Sequence, residues 1–413
     1  MSVHSFSSLP RLAAFTVALL AAHATQAQES TARVFTNFRL FDGTGAPAVE
    51  DAALVVEDGR IVAAGAAATL NLPESAQRID LGGGFVLPGF INAHGHAAQD
   101  TERKLAVSAQ YGVTSVFSLG GENANTAALR DAQNPQAPGT ARLHIAGPIL
   151  EGLNSPQAAE QGVESLAALG AEWVKMRVNN GNMRAPVYQA LIASAHAHEL
   201  KVAAHLYTLA EAKDLLRAGI DALAHSVRDQ PVDAELLQLM RDNQACLIPT
   251  LTREVSTYIY ATPPDFFNDP FFLRGASAAD IAALSTADTQ RRNAAAQARG
   301  QADLLMAQRN LKATHDAGLR IALGTDSGAS LGRFPGYFEH LELQLMVEAG
   351  LTPEQALLAA TSVAADCMDL QDTGTLTPGK WADFLVLDAD PLEDIRNTQT
   401  LKAVFIGGQR LMP

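Results

Sequence analysis

The chain has 413 residues, of which 47% are apolar and 18% charged, and its formal net charge is −14. That length suits a well-packed enzyme core of two domains, or one large barrel with an appendage. The acidic balance argues against nucleic acid and anionic membrane as partners, because both need basic surface.

Residues 1–27 read as an export leader. Arg11 precedes an apolar run from Leu12 to Ala22 that is too short to span a bilayer. Ala22-His23-Ala24 and Thr25-Gln26-Ala27 both fit a leader-peptidase site, with Ala27 the preferred last residue. The expected destination is a bacterial periplasm; a retained anchor is the alternative. Residues 28–84 read as short strands, with Asp58-Gly59 between two apolar runs as a hairpin signal. The same texture returns over 367–413, so a small β-sandwich formed from both termini is expected.

Between them, over 85–366, strand-like and helix-like segments alternate. Strand ends fall near His96, Leu119, Leu150, Val178, Tyr207, Ser226, Leu251 and Ser327. Helical periodicity fills the gaps, for example from Tyr188 to Glu199, Leu209 to Ala218 and Asp233 to Asn243. This pattern predicts an α/β architecture, a (β/α)8 TIM barrel. A doubly wound sheet is the alternative, but no glycine-rich phosphate loop follows the first strand. An insertion at about 252–300 starts rich in aromatic residues and proline and continues as a polar, alanine-rich helix. It belongs at the barrel mouth as a lid or substrate wall, with a dimer contact as the competing reading. The two cysteines, Cys246 and Cys367, read as buried small residues and not as a bridge.

The chemistry concentrates at the strand ends. In Leu87-Pro88-Gly89-Phe90-Ile91-Asn92-Ala93-His94-Gly95-His96 an apolar strand delivers two histidines at i and i+2, hence on one face. Two imidazoles so placed can hold a divalent metal. His205 and His225 each follow an apolar run on the next strands, and Asp326 ends the last one. Any one of these alone is more often a hydrogen-bonded core group; together they point to a metal site. Lys175 sits inside the apolar run Trp173-Val174-Lys175-Met176, where a charge must be paired or lost. One reading is an ion pair with an acidic neighbour. The other is a neutral amine that has captured carbon dioxide as a carbamate able to bridge two ions.

In this pattern the chain resembles the amidohydrolase superfamily, in its imidazolonepropionase-like and prolidase-like metal-dependent hydrolase branch. The resemblance rests on the His94/His96 segment, Lys175, His205, His225 and Gly324-Thr325-Asp326-Ser327, and on Gly374-Thr375-Leu376-Thr377-Pro378-Gly379-Lys380-Trp381-Ala382-Asp383. It implies that His94, His96 and Asp326 hold the more buried of two divalent ions, most plausibly zinc. His205 and His225 would hold the outer ion, with carboxylated Lys175 bridging both. It further implies that Asp326 orients and deprotonates a bridging water for attack on an amide, then returns the proton to the leaving nitrogen. Asn92 departs from the pattern, which commonly has aspartate there.

Tyr207 and Arg228 lie just beyond His205 and His225, where both could grip a substrate carboxylate. The expected substrate is therefore a small-molecule amide, a dipeptide or an N-acyl amino acid. Lactone, ester or cyclic-amide hydrolysis on the same scaffold is the alternative, and a non-catalytic periplasmic binding protein is the alternative from another class. Homo-oligomer formation is left open.

Overall fold

A computed structural model of the chain describes residues 32–411 except 136–137 and 179–180. The expected leader lies outside the described residues. The two ends of the chain meet in one seven-stranded sheet. Its strands are β1 (Arg33–Leu40), β2 (Val49–Glu57), β3 (Arg60–Ala66), β4 (Gln77–Pro88), β12 (Phe384–Leu387), β13 (Leu401–Ile406) and β14 (Gln409–Arg410). Their order is β14-β13-β12-β4-β1-β2-β3. Asp58 and Gly59 both take positive φ, 49° and 78°, as a two-residue turn between β2 and β3 requires.

This sheet is folded over. In a flat sheet β1 and β13 would stand three strand spacings apart, about 14 Å. The Phe35 ring on β1 nonetheless lies 5.2 Å from Phe405 on β13 and 5.0 Å from Phe384 on β12. The aromatic rings thus fill the inside of a sandwich-like curl, with Leu54, Ile61 and Val86 around them.

The middle of the chain forms two parallel sheets. One contains β5 (Phe90–Gly95), β6 (Val113–Ser118) and β7 (Arg142–Ile145). The other contains β8 (Trp173–Arg177), β9 (Lys201–His205), β10 (Ala222–Ala224) and β11 (Cys246–Ile248). Helices alternate with these strands, several opened by side-chain caps such as Ser155, Thr208 and Asp233. Parallel bridges link the sheets on one side through Leu150 and Met176, and on the other through Leu247–Ile321 and Gly95–Ser327. The eighth expected strand, Ile321 to Ser327, is an extended segment without a continuous ladder. Asp326 takes a left-handed φ of 57°, and the His94 carbonyl accepts from both Thr325 N and Asp326 N, which interrupts regular pairing.

Inside these strands lie many small side chains, Ala93, Ala203, Ala222, Ala224 and Ala322 among them, beside the larger Ile91, Phe117, Leu119, Trp173 and Ile248. Helix Ser362–Cys367 packs Ala364 and Ala365 into the same core. This docking corrects the reading of the cysteines. Cys367 is carried to within 6.0 Å (Cα–Cα) of Cys246 on β11, and the two form a disulfide.

In the insertion, Phe267, Phe271 and Phe272 are buried, packing among Tyr111, Tyr337 and one another. They anchor the inserted segment to helix Tyr337–Glu348, while Arg253 at its start lines the cavity described below. The thirty-residue helix Ala287–Asp316 follows. Its Asn310 side chain ties down the loop after β10 through Val227 O, Gln230 O and Val232 N. Among the described residues no helix is long and apolar enough to cross a membrane.

Candidate active site

Parallel strands present all their carboxyl ends on one side, and the polar residues of the core gather there. Lys175 lies within β8, His205 closes β9 and His225 directly follows β10. With His94, His96 and Asp326 they line one cavity of about 560 Å³, a volume suited to a ligand of dipeptide size. Ligand atoms of His94, His96 and Asp326 fall within 4.8 Å of one another. Asp326 Oδ1 is 2.8 Å from His96 Nε2 and 3.5 Å from His94 Nε2. Lys175 Nζ stands 3.2 Å from His94 Nε2. The His205 and His225 rings are 4.3 Å apart, and His225 is 4.9 Å from His94.

Burial decides the charge states. Desolvation, then the neighbouring Lys175, pushes the His94 and His205 imidazoles down, His205 to about 2. Desolvation and His205 do the same to His225. Neutral imidazole is the form that ligates metal. Desolvation likewise lowers the Lys175 amine to about 7, against the pull of Asp326. Burial thus favours the neutral amine, the form that reacts with carbon dioxide. Burial alone would raise the Asp326 carboxyl, but the His96 hydrogen bond, the neighbouring His94 and the Arg333 guanidinium hold it well below its ordinary value. Neutral imidazoles, an anionic carboxylate and a nucleophilic amine are a donor set suited to divalent ions.

Asn92 is wired into this group. Its Oδ1 accepts from His94 N (2.9 Å), and its Nδ2 donates to Thr325 Oγ1, Ser327 Oγ and Glu339 Oε1. Amide and carboxylate thus clamp β5 to the segment bearing Asp326. An aspartate here would face Glu339 as a second buried acid; asparagine supplies the donor that this pairing needs.

The expected carboxylate grip is placed elsewhere. Arg228 is buried, paired with Glu254 and donating to Leu206 O (2.6 Å). Tyr207 lies under the Arg228 guanidinium and donates its hydroxyl to Asp303 on the inserted helix (2.8 Å). Neither lines the cavity. Its cationic lining comes instead from Lys104, Arg177, Arg253 and Arg333. Arg333 pairs with Asp326 Oδ2, and Lys104 is spent on the His96 and Gly328 carbonyls. Arg253 shares the single carboxylate of Glu254 with Arg228. Arg177 pairs with Glu151 (3.1 Å), and the sequence did not single out Arg253 or Arg333. The run of Gly328, Gly332 and Gly336 around Arg333, all at positive φ, was the available signal that this loop folds back on the site.

Residues 85–411 match the family model described as the amidohydrolase family. The chain belongs to the amidohydrolase family. Imidazolonepropionase from Streptomyces avermitilis is 27% identical over 364 residues, covering 83% of this chain and 81% of its own. Ochratoxinase from Aspergillus niger is 45% identical over a shorter stretch of 91 residues, 21% of this chain and 18% of its own. Among solved structures, a Bifidobacterium longum protein classed provisionally as a prolidase superposes with a TM-score of 0.77 at 25% identity, covering 93% of this chain and 95% of the other. This amidohydrolase is accordingly a hydrolase of carbon–nitrogen bonds with a candidate metal-binding group, acting on small molecules.

Proposed function

We propose that this amidohydrolase cleaves the linear amide bond of a dipeptide or N-acyl amino acid, using two divalent zinc ions on a closed (β/α)8 barrel. The observation that carries this reading is the pairing of two features in one cavity: the six polar strand-end residues, and the cationic patch beside them. His94, His96 and Asp326 would hold one ion and His205 and His225 the other, with Lys175 bridging as its carbamate. When bound, the ions supply an acidified water and polarise the substrate carbonyl.

The protein's own groups do the rest. Asp326, fixed through Oδ2 by Arg333, turns Oδ1 toward the histidines, where it takes a proton from water and returns it to the leaving nitrogen. The substrate carboxylate is assigned to Arg253. Two guanidiniums, Arg228 and Arg253, share one buried Glu254, and a positive charge is left facing the cavity; a substrate carboxylate balances it. Arg228 and Tyr207 then act from behind, Arg228 by holding Glu254. Export is proposed with this function, and the Cys246–Cys367 disulfide suits the oxidising compartment that export provides.

Metal analysis combined with a panel of dipeptides, N-acyl amino acids, esters and lactones tests the reading. It expects close to two ions per chain and turnover of carboxylate-bearing amides. Lys175→Ala should lose metal and activity together. One ion with full activity, or a preference for lactones, would refute it.

A further inference from the structure

Two buried carboxylates on helix Tyr337–Glu348 lie beneath the cavity, three residues apart on one face. Glu339 takes the inner side. It accepts from Asn92 Nδ2, from Thr325 Oγ1 (3.1 Å) and from Ser327 Oγ (2.9 Å), so it grips both segments that carry His94 and Asp326. Glu342 takes the outer side. It accepts from Leu251 N (2.8 Å), Thr252 N (2.7 Å) and Thr252 Oγ1 (2.8 Å).

Those donors belong to the two residues after Thr250. Thr250 is fully buried and sits at φ 51°, ψ 50°, a conformation that β-branched residues rarely adopt. Its Oγ1 is 2.6 Å from His225 Nδ1, and His225 is itself held at φ 147°. Glycine or asparagine would fit the Thr250 backbone better. The hydroxyl against the imidazole is what a threonine adds there.

We propose that Thr250 is the positioning residue for the outer half of the metal centre. Its hydroxyl oxygen accepts a hydrogen bond from His225 Nδ1–H and so leaves Nε2 as the ligating atom. Glu342, holding the next two residues, keeps Thr250 in its left-handed conformation. The inference rests on the two-ion reading above.

Zinc titration of the purified protein against a chromophoric chelator, with bicarbonate present, tests it. Wild type should bind two ions. Thr250→Val should keep the first and bind the second about 10–100-fold more weakly, the cost of losing an outer partner of a ligand, while Thr250→Ser should stay within about threefold of wild type. Thr250→Gly suits the backbone and guards against a valine variant that fails to fold. It should still melt cooperatively, metal-free, at a temperature no lower than the valine variant's, yet bind the second ion as weakly as the valine variant. A residue serving only as a helix start would not separate stability from ion affinity in this way. Unchanged second-ion affinity in the valine or glycine variant overturns the proposal. A wild type that takes up a single ion overturns the two-ion reading itself, and the proposal with it.

Discussion

Asp326 joins two kinds of partner through its two oxygens: Oδ1 faces His94 and His96, and Oδ2 is held by Arg333. A carboxamide keeps that shape but cannot carry a proton at neutral pH. Asp326→Asn should therefore fold and bind substrate while losing at least ~10²-fold in kcat; single-turnover kinetics within threefold of wild type would place the proton elsewhere. Arg253 permits a second test. Arg253→Met should raise KM for anionic substrates, and masking the substrate carboxylate as an amide should matter to wild type but little to the variant. The expected coupling is about 1.5–3 kcal/mol, the scale of a hydrogen bond to a charged group, read from a double-substitution cycle on kcat/KM. Additive effects would remove Arg253 from the carboxylate site. The positions of His94, His96, Lys175, His205, His225 and Asp326 were legible because each interrupts or ends an apolar strand run. The role of Arg228 was not. Its distance from His225 along the chain does not reveal that Glu254, 26 residues on, claims its guanidinium.

At the level of elements, helix Tyr337–Glu348 does more than flank the parallel sheets, since it places two acids under the site. Burial raises Glu342 from its ordinary 4.5 to about 7, although three donors pull the other way. The folded chain therefore keeps a proton that the unfolded chain releases above about pH 4.5. Glu342's contribution is complete below that pH and lost as pH rises through about 7. Wild-type melting temperature, measured relative to Glu342→Gln, should thus fall between about pH 5 and pH 8; parallel curves would mean that Glu342 stays ionised throughout. Helical periodicity revealed several barrel helices to within a few residues, because their buried stripes are regular. The packing of the insertion was not legible for the opposite reason. Its phenylalanines have no period, and only contact with Tyr111 and Tyr337 shows which way they point.

For the molecule as a whole, the disulfide ties helix Ser362–Cys367 to the core of the parallel sheets across a sequence separation of 121 residues. No spacing rule could pair two cysteines so far apart, since only the docking of that helix brings them together. Removing the bond, by reduction or by Cys246→Ala with Cys367→Ala, should cost about 2–5 kcal/mol, seen as a lower urea midpoint. An unchanged midpoint would show that packing of Ala364 and Ala365 suffices.

The terminal sheet has a consequence for how this chain comes into being. Strand β4 pairs with β1 on one side and with β12 on the other, and β12 follows roughly 300 residues later. A ribosome adding about 5–20 residues per second reaches β12 only tens of seconds after β4 emerges. Through that interval one edge of β4 waits unpaired and the rings of Phe384 and Phe405, which complete the pocket around Phe35, do not yet exist. Wherever the rest of the chain folds, the amino-terminal strands cannot finish ahead of the carboxyl terminus. Synthesis order and folding order are thereby decoupled, and the first strands made are among the last to settle.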